Sequence, residues 1–241
     1  MRPDRRIFLQ AAAAASLLAA LPLSFPARAA SMKIGVIGSG RIGGALGEFW
    51  VRAGHEVMFS ARTLEEVNIL LARLNLGPRA TAGTPREAAA FGEVVLISIP
   101  YAALPQIGRD LAEELKGKVV LETGNPYPQR DGPMAYDARS RGTGVTSAEF
   151  LPGVRLVRAF NSVGDVQLRS QMTRSRERIA IPLAADDPEA MKVAARLVED
   201  AGFEPVAVGP LARAKDFDFG TKVYGEGFPA SKLRWLLDIR N

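Results

Sequence analysis

The chain of 241 residues contains no cysteine and a single histidine. The first absence excludes disulfide stapling, thiolate zinc sites, cysteine-ligated iron–sulfur clusters, a cysteine nucleophile and a lipidated leader cysteine. The second excludes a histidine-rich metal centre. A strongly basic mature surface is lacking too. Arg2, Arg5, Arg6 and Arg28, against Asp4, supply most of the formal net charge of +5, so the remainder is nearly neutral. A nucleic-acid partner thereby loses its main electrostatic argument and is not expected. With 47% hydrophobic and 24% charged residues the chain is not disordered, and its 23 glycines and 16 prolines are spread rather than periodic. There is no internal repeat, and the length predicts one domain or two small ones with a real core.

Residues 1–30 carry a leader pattern. Asp4, Arg5, Arg6, Ile7, Phe8, Leu9 and Gln10 form a twin-arginine signature, followed by an Ala/Leu-rich run to Leu21 and a small-residue site at Ala27, Arg28 and Ala29. Cleavage is expected after Ala29. The alternative is an uncleaved anchor, but roughly 15 apolar residues fall short of the ~20 that a spanning helix needs. The twin-arginine translocase is the implied export partner and the periplasm the implied destination. Such a motif implies export in the folded state, often with a cofactor already inside.

The mature chain alternates strand and helix signals. Residues 33–38 form a short apolar strand running into Gly38, Ser39, Gly40, Arg41, Ile42 and Gly43. A helix follows over 41–53 and stops at Gly54. Strands are expected at 55–60, 79–82, 94–99 and 119–122. Between them lie helices opened by the Thr63/Glu66 capping box and by Thr84 with Pro85, and one over 104–115. This alternation specifies an α/β fold with a doubly wound parallel sheet of Rossmann type. The Gly- and Pro-rich segment 124–144 reads as an irregular loop. Beyond it, 155–160, 178–184 and 205–208 read as strands, 188–201 as a helix and 231–237 as a last short helix. The expected organisation is a dinucleotide-binding domain over 31–209 and a C-terminal tail over 210–241.

The glycine motif sits where its mechanism needs it, between a strand and a helix. Gly38 permits the tight turn, Gly40 lets the backbone approach a pyrophosphate, and Gly43 lets the helix pack on the sheet. The phosphates then meet the unpaired N–H groups of the helix N-terminus. At the end of the second strand an NAD site would place a carboxylate; this chain has Ser60, Ala61, Arg62 and Thr63. A hydroxyl from Ser60 and a charge-assisted bond from Arg62 would suit a 2′-phosphate, which predicts NADP over NAD. Arg62 as a solvated charge at a helix start is the alternative. Ser98, Ile99 and Pro100 end the fourth strand, and Asn125 follows the fifth, on the rim where ligands bind in this architecture. The prolines there serve equally well as strand terminators.

The segments 34–43, 55–62, 97–100, 123–126, 157–164 and 185–211 together resemble the NADP oxidoreductases dependent on coenzyme F-420, the family of NADPH:deazaflavin reductases. The combination of the glycine motif with Ala159-Phe160-Asn161 and Gly209-Pro210-Leu211 carries the resemblance. It implies a nicotinamide lying across the carboxyl edge of the sheet and passing hydride to a stacked deazaflavin. It also implies phosphate-binding positions at 39–42 and 2′-phosphate positions at Ser60 and Arg62. Family members often carry two basic residues after the serine; Ala61 departs from that pattern. A likeness to the cytosolic domain of the STEAP metalloreductases keeps flavin as a second acceptor.

Reduction of a carbonyl needs a proton donor. The only histidine, His55, falls at the amino end of the sheet, opposite the cofactor rim, and reads as a surface turn residue. Tyr101, Tyr127, Lys215 and Lys222 remain candidate donors without a motif around them, so the catalytic residue is unassigned. A flavin or deazaflavin relaxes the requirement, because solvent can protonate its ring nitrogen. Asp186-Asp187-Pro188 reads as a capped helix start rather than a metal pair, and no metal site is expected. Arg169, Arg174, Arg176 and Arg178 read as a solvated loop. The leading expectation is an exported NADP(H)-dependent oxidoreductase acting on a small-molecule redox acceptor, with a homodimer left open. Its competitors are a non-catalytic NADP-binding module and a soluble electron donor to a membrane reductase.

Overall fold

Val94–Ile97 and Val119–Glu122 are buried at every position, the signature of strands covered on both faces. They form the centre of an eight-stranded sheet in a computed structural model that describes residues 31–171 and 177–239. The leader with its twin arginines, and Arg174 and Arg176, lie outside the described residues. In chain order the strands are β1 (Lys33–Ile37), β2 (Glu56–Ser60), β3 (Ala80–Ala82), β4 (Val94–Ile97), β5 (Val119–Glu122), β6 (Arg155–Arg158), β7 (Ala180–Ala185) and β8 (Glu204–Gly209). Their order across the sheet is β3-β2-β1-β4-β5-β6-β7-β8. Helices α1 (Arg41–Ala53), α2 (Leu64–Leu74), α3 (Pro85–Phe91), α4 (Leu104–Asp110) and α5 (Ala112–Leu115) connect the first five strands. The Thr63 side chain caps α2 by accepting from the Glu66 N–H, without the return bond of the expected capping box, and Thr84 caps α3 in a full capping box with Glu87.

Three expectations are corrected. The segment read as an irregular loop contains α6 (Pro128–Asp131), α7 (Met134–Arg141) and the start of α8 (Thr143–Phe150). Its glycines and prolines are punctuation: Pro128 opens α6, and Gly132 and Gly142, at φ 70° and 94°, separate the helices. The helix expected over 104–115 breaks at Leu111, whose backbone leaves the helical region. The sheet, finally, is mostly rather than wholly parallel, because β7 runs antiparallel to β6 while β8 returns parallel to β7. The connection out of β6 passes through α9 (Asp165–Gln171), only seven residues or about 10 Å of helix. The chain then re-enters the sheet with β7 running against β6. A further crossover, α10 (Pro188–Asp200), then restores the parallel pairing of β8.

One core cluster joins β1, β2, α1, α2 and α10; within it Trp50 is fully buried and donates its indole N–H to the Leu197 carbonyl at 2.8 Å. The C-terminal tail packs onto the β7–β8 edge. There Phe217, Val223 and Leu233, the last from α11 (Ala230–Leu236), share a cluster with Val206 and Val208.

His55 is not a surface residue. It is 3% exposed, accepts the Met32 backbone N–H on Nδ1 at 3.1 Å and faces Asp200 with Nε2 at 3.0 Å. It does lie at the amino end of the sheet, just before β2. Asp187 caps α10 by accepting from Glu189 and Ala190. The Arg155 guanidinium and those N–H groups hold its carboxyl well below the usual carboxylate range. Among the described residues no helix is long and apolar enough to cross a membrane, and no cluster of metal-ligating side chains forms.

Candidate functional site

The site is built around the turn from β1 into α1. Gly38 turns the chain at φ 94°, and its N–H and that of Ser39 both donate to the Ser60 carbonyl, at 3.0 and 2.9 Å. A Cβ on Gly38 would lie 2.3 Å from the Ser98 carbonyl oxygen, and one on Gly43 would lie 2.2 Å from the Gly38 oxygen. These two glycines are therefore demanded by backbone approach within the protein. Gly40 differs: its Cβ would meet nothing within 4 Å. It is the N-cap of α1 with no side-chain cap, and the first turn of α1 holds no acidic residue. The N–H groups and positive dipole end of a thirteen-residue helix thus face an open groove, the geometry that binds a diphosphate.

Two cavities meet at Gly40 and Arg41. One, of about 420 Å³, lies between the start of α1 and helices α2 and α9, and is lined by Ser39, Glu66, Ile69, Arg73 and Arg169 among others. Arg41 and Arg73 are exposed there, and neither forms an ion pair among the described residues. Ser60 does not reach this space. It is fully buried, and its hydroxyl donates to the Val36 carbonyl at 2.8 Å, while its carbonyl anchors the glycine turn. The expected bond from the Ser60 hydroxyl to a 2′-phosphate is therefore corrected to a structural one. Arg62 stands in solvent, its side chain 91% exposed, 3.4 Å from Glu66. It sits beside this cavity without lining it.

The second cavity, of about 430 Å³, runs from Gly40 across the carboxyl ends of β4 and β5. Ile42 of α1 lines it, together with Ser98, Ile99 and Pro100 after β4 and Asn125 after β5. Asn125 and Asn161 also face one another here: Asn125 donates its side-chain N–H to the Asn161 carbonyl at 2.8 Å. The Oδ1 atoms of both are buried without a hydrogen-bond partner among the described residues. Two orphaned acceptors at one ligand-facing rim mark a missing donor. Phe160, beside them, is a non-glycine residue at φ 59°, a strained backbone of the kind that collects at binding sites.

Behind this rim lies a buried polar network. Glu122 accepts from the Gly124 N–H and from the Ser147 hydroxyl, the latter at 2.9 Å, and pairs with Arg158, which also donates to the Gly124 carbonyl at 2.8 Å. Both ends of the Gly124 peptide segment are so held, fixing the loop that carries Asn125. Burial pushes the Glu122 carboxyl above its usual range, against the pull of the Arg158 guanidinium. Tyr101, fully buried, bonds Ser147 at 3.0 Å within this network and does not line the cavity. Lys215 lines a separate cavity of about 230 Å³, and Lys222 is exposed elsewhere. Of the candidate donors, only Tyr127 faces the site.

Comparison with known proteins decides the class. Residues 33–126 match the model of the family described as NADP oxidoreductase, coenzyme F420-dependent. That match spans 94 of the 241 residues, so the cofactor-binding segment is similar to a family of NADP-dependent oxidoreductases. No curated protein matches the sequence. Among solved structures, a hypothetical protein from Sinorhizobium meliloti is similar with a TM-score of 0.72 at 22% identity, covering 83% of this chain and 96% of that one. A putative F420-dependent NADP reductase from Arthrobacter sp. FB24 gives 0.66 at 19% identity, covering 77% and 88%. An imine reductase from Streptomyces aurantiacus gives 0.56 at 20%, covering 76% and 57%. At these identities the likeness to solved structures shows the shared fold.

The residues fit an NADP nucleotide. The open Cβ direction at Gly40 leaves room for a diphosphate, and the orphaned Asn125 and Asn161 oxygens match the donating amide of a nicotinamide carboxamide. Sequence reasoning alone did not reach Arg73, Arg130, Asn161 as a contact, or Tyr224. Arg73 stands on one face of α2 with Glu66 and Leu70, a three-to-four spacing that could have placed it. Tyr224 carries no signal at all; it arrives from the tail.

Proposed function

We propose that the protein is an exported NADP(H)-dependent oxidoreductase that passes hydride from nicotinamide to a deazaflavin or flavin-type acceptor. The carrying observation is the pair of cavities joined at the uncapped N-terminus of α1, one arginine-lined and one edged by unpartnered amide oxygens. In this reading the α1 N-terminus and Arg41 take the diphosphate, and Arg41, Arg73 and the nearby Arg62 take the 2′-phosphate. Asn125 and Asn161 orient the carboxamide. When bound, the nicotinamide supplies a hydride. The protein contributes proximity and orientation of two flat rings in a cavity walled by Ile99, Pro100 and Tyr127. The absence of a histidine at this rim agrees with a ring acceptor. Export rests on the twin-arginine leader sequence.

The test is direct. Protein taken from the exported fraction is analysed for copurifying nucleotide and then mixed with NADPH and flavin, deazaflavin or ferric chelate. Bound NADP and acceptor-dependent loss of NADPH absorbance are expected. Bound NAD would defeat the arginine argument. NADP binding without turnover, even with membranes added back, would reduce the protein to a binding module.

A further inference from the structure

Tyr127 and Tyr224 come from distant parts of the chain, the loop after β5 and the C-terminal tail, yet their hydroxyl oxygens lie 2.6 Å apart in one cavity wall. The tail is fastened for this purpose at both sides of the ring. The Gly225 N–H donates to the Ser162 carbonyl at 2.7 Å, and the Phe219 ring packs edge-on between the two tyrosines, with centroids 4.9 Å from Tyr127 and 5.1 Å from Tyr224. The Arg130 guanidinium stands 4.9 Å from the centroid of the Tyr127 ring and is itself anchored to Asp131 and the Asn125 carbonyl. A cation over the ring holds the Tyr127 side chain against the cavity wall. Burial, with the bond to Tyr127, pushes the Tyr224 phenol up, so it stays protonated at working pH and keeps a proton that it can donate to Tyr127.

We infer that this tyrosine pair is the proton donor of the site, with Tyr127 giving the proton to the acceptor and Tyr224 replacing it. The inference rests on the hydride-transfer reading above and selects Tyr127 from the candidate donors that the sequence offers. Two-electron reduction of the acceptor takes up a hydride, supplied by the nicotinamide, and a proton. The Tyr127 O–H bond breaks as a bond from hydrogen to the acceptor's ring heteroatom forms. The Tyr224 hydroxyl proton then moves to the Tyr127 oxygen, and water restores Tyr224. No further oxidant or reductant is needed.

Tyr127→Phe and Tyr224→Phe test the pair, since each keeps the ring that packs on Phe219. Ultraviolet titration of phenol ionisation in the unliganded protein should show Tyr224 moving toward its ordinary range in the Tyr127→Phe protein. With NADPH and flavin, Tyr127→Phe should lower kcat by about 10²-fold and Tyr224→Phe by roughly tenfold, with NADP affinity unchanged. The solvent isotope effect, curved against deuterium fraction in the parent, should become linear in Tyr224→Phe. Parental kcat and isotope effect in both variants would overturn the relay alone. No turnover with any acceptor in the parent protein, despite NADP binding, would overturn the hydride-transfer reading and the relay with it.

Discussion

Replacing Gly40 by leucine separates the ligand's needs from the fold's. At φ −72° the Gly40 backbone is open to any L residue, and the new Cβ would meet no atom within 4 Å. The cost to folding is that of a poorer helix N-cap, about 1 kcal/mol. The side chain instead fills the space before the α1 N-terminus, where two or more N–H groups would otherwise bond a diphosphate at about 1.5–3 kcal/mol each. Losing two such bonds costs about 3–6 kcal/mol of binding, or on the order of 10²–10⁴-fold in Kd. Gly43→Ala is the contrast, because its Cβ would sit 2.2 Å from a backbone oxygen. That variant should lose stability before it loses affinity. Titration calorimetry with NADP, paired with thermal melts, reads both effects. A Gly40→Leu protein that binds NADP like the parent, or that melts as badly as Gly43→Ala, would refute the placement of the diphosphate.

Further outcomes follow from the same geometry. Arg73→Ala should weaken NADP by roughly tenfold while leaving NAD unchanged, whereas Arg41→Ala, which also removes a diphosphate contact, should weaken both nucleotides, as competitive titrations will show. Ser60→Ala should leave that NADP:NAD ratio alone and cost about 1 kcal/mol of stability through the lost bond to Val36, measured by urea unfolding. His55→Leu leaves the half-buried Met32 N–H without its acceptor and removes one of the partners of Asp200, which keeps Arg196, and should cost about 1–3 kcal/mol with no change in nucleotide affinity by calorimetry. Asp187 is held below its unfolded value, so its contribution is present above the ordinary carboxylate range and is lost as pH falls through and below it. Asp187→Asn should flatten that acid limb in melts taken across pH, and an unchanged limb would count against the Arg155 pairing.

The sequence by itself determined the parts whose physics is local. Residues 33–43 dictate a strand, a glycine turn and a helix start, because a buried apolar run and the conformational freedom of Gly38 leave few other choices. The Thr63 and Thr84 caps, the Asp187 cap and the rim positions after β4 and β5 follow from equally short spacings. Tertiary structure decided what depends on direction and on distant neighbours. The reversal of β7 is one such feature, since an apolar strand reads alike either way along the sheet. Ser60 and His55 exchanged their expected environments for buried ones, because a polar side chain is free to satisfy itself inside or outside and only its neighbours decide. The meeting of Tyr127 with Tyr224, and of Asn125 with Asn161, required the C-terminal tail and β6 to fold back on the carboxyl rim of the sheet. No spacing along the chain encodes such a meeting, for the contacts that create it lie tens of residues apart and are fixed by packing.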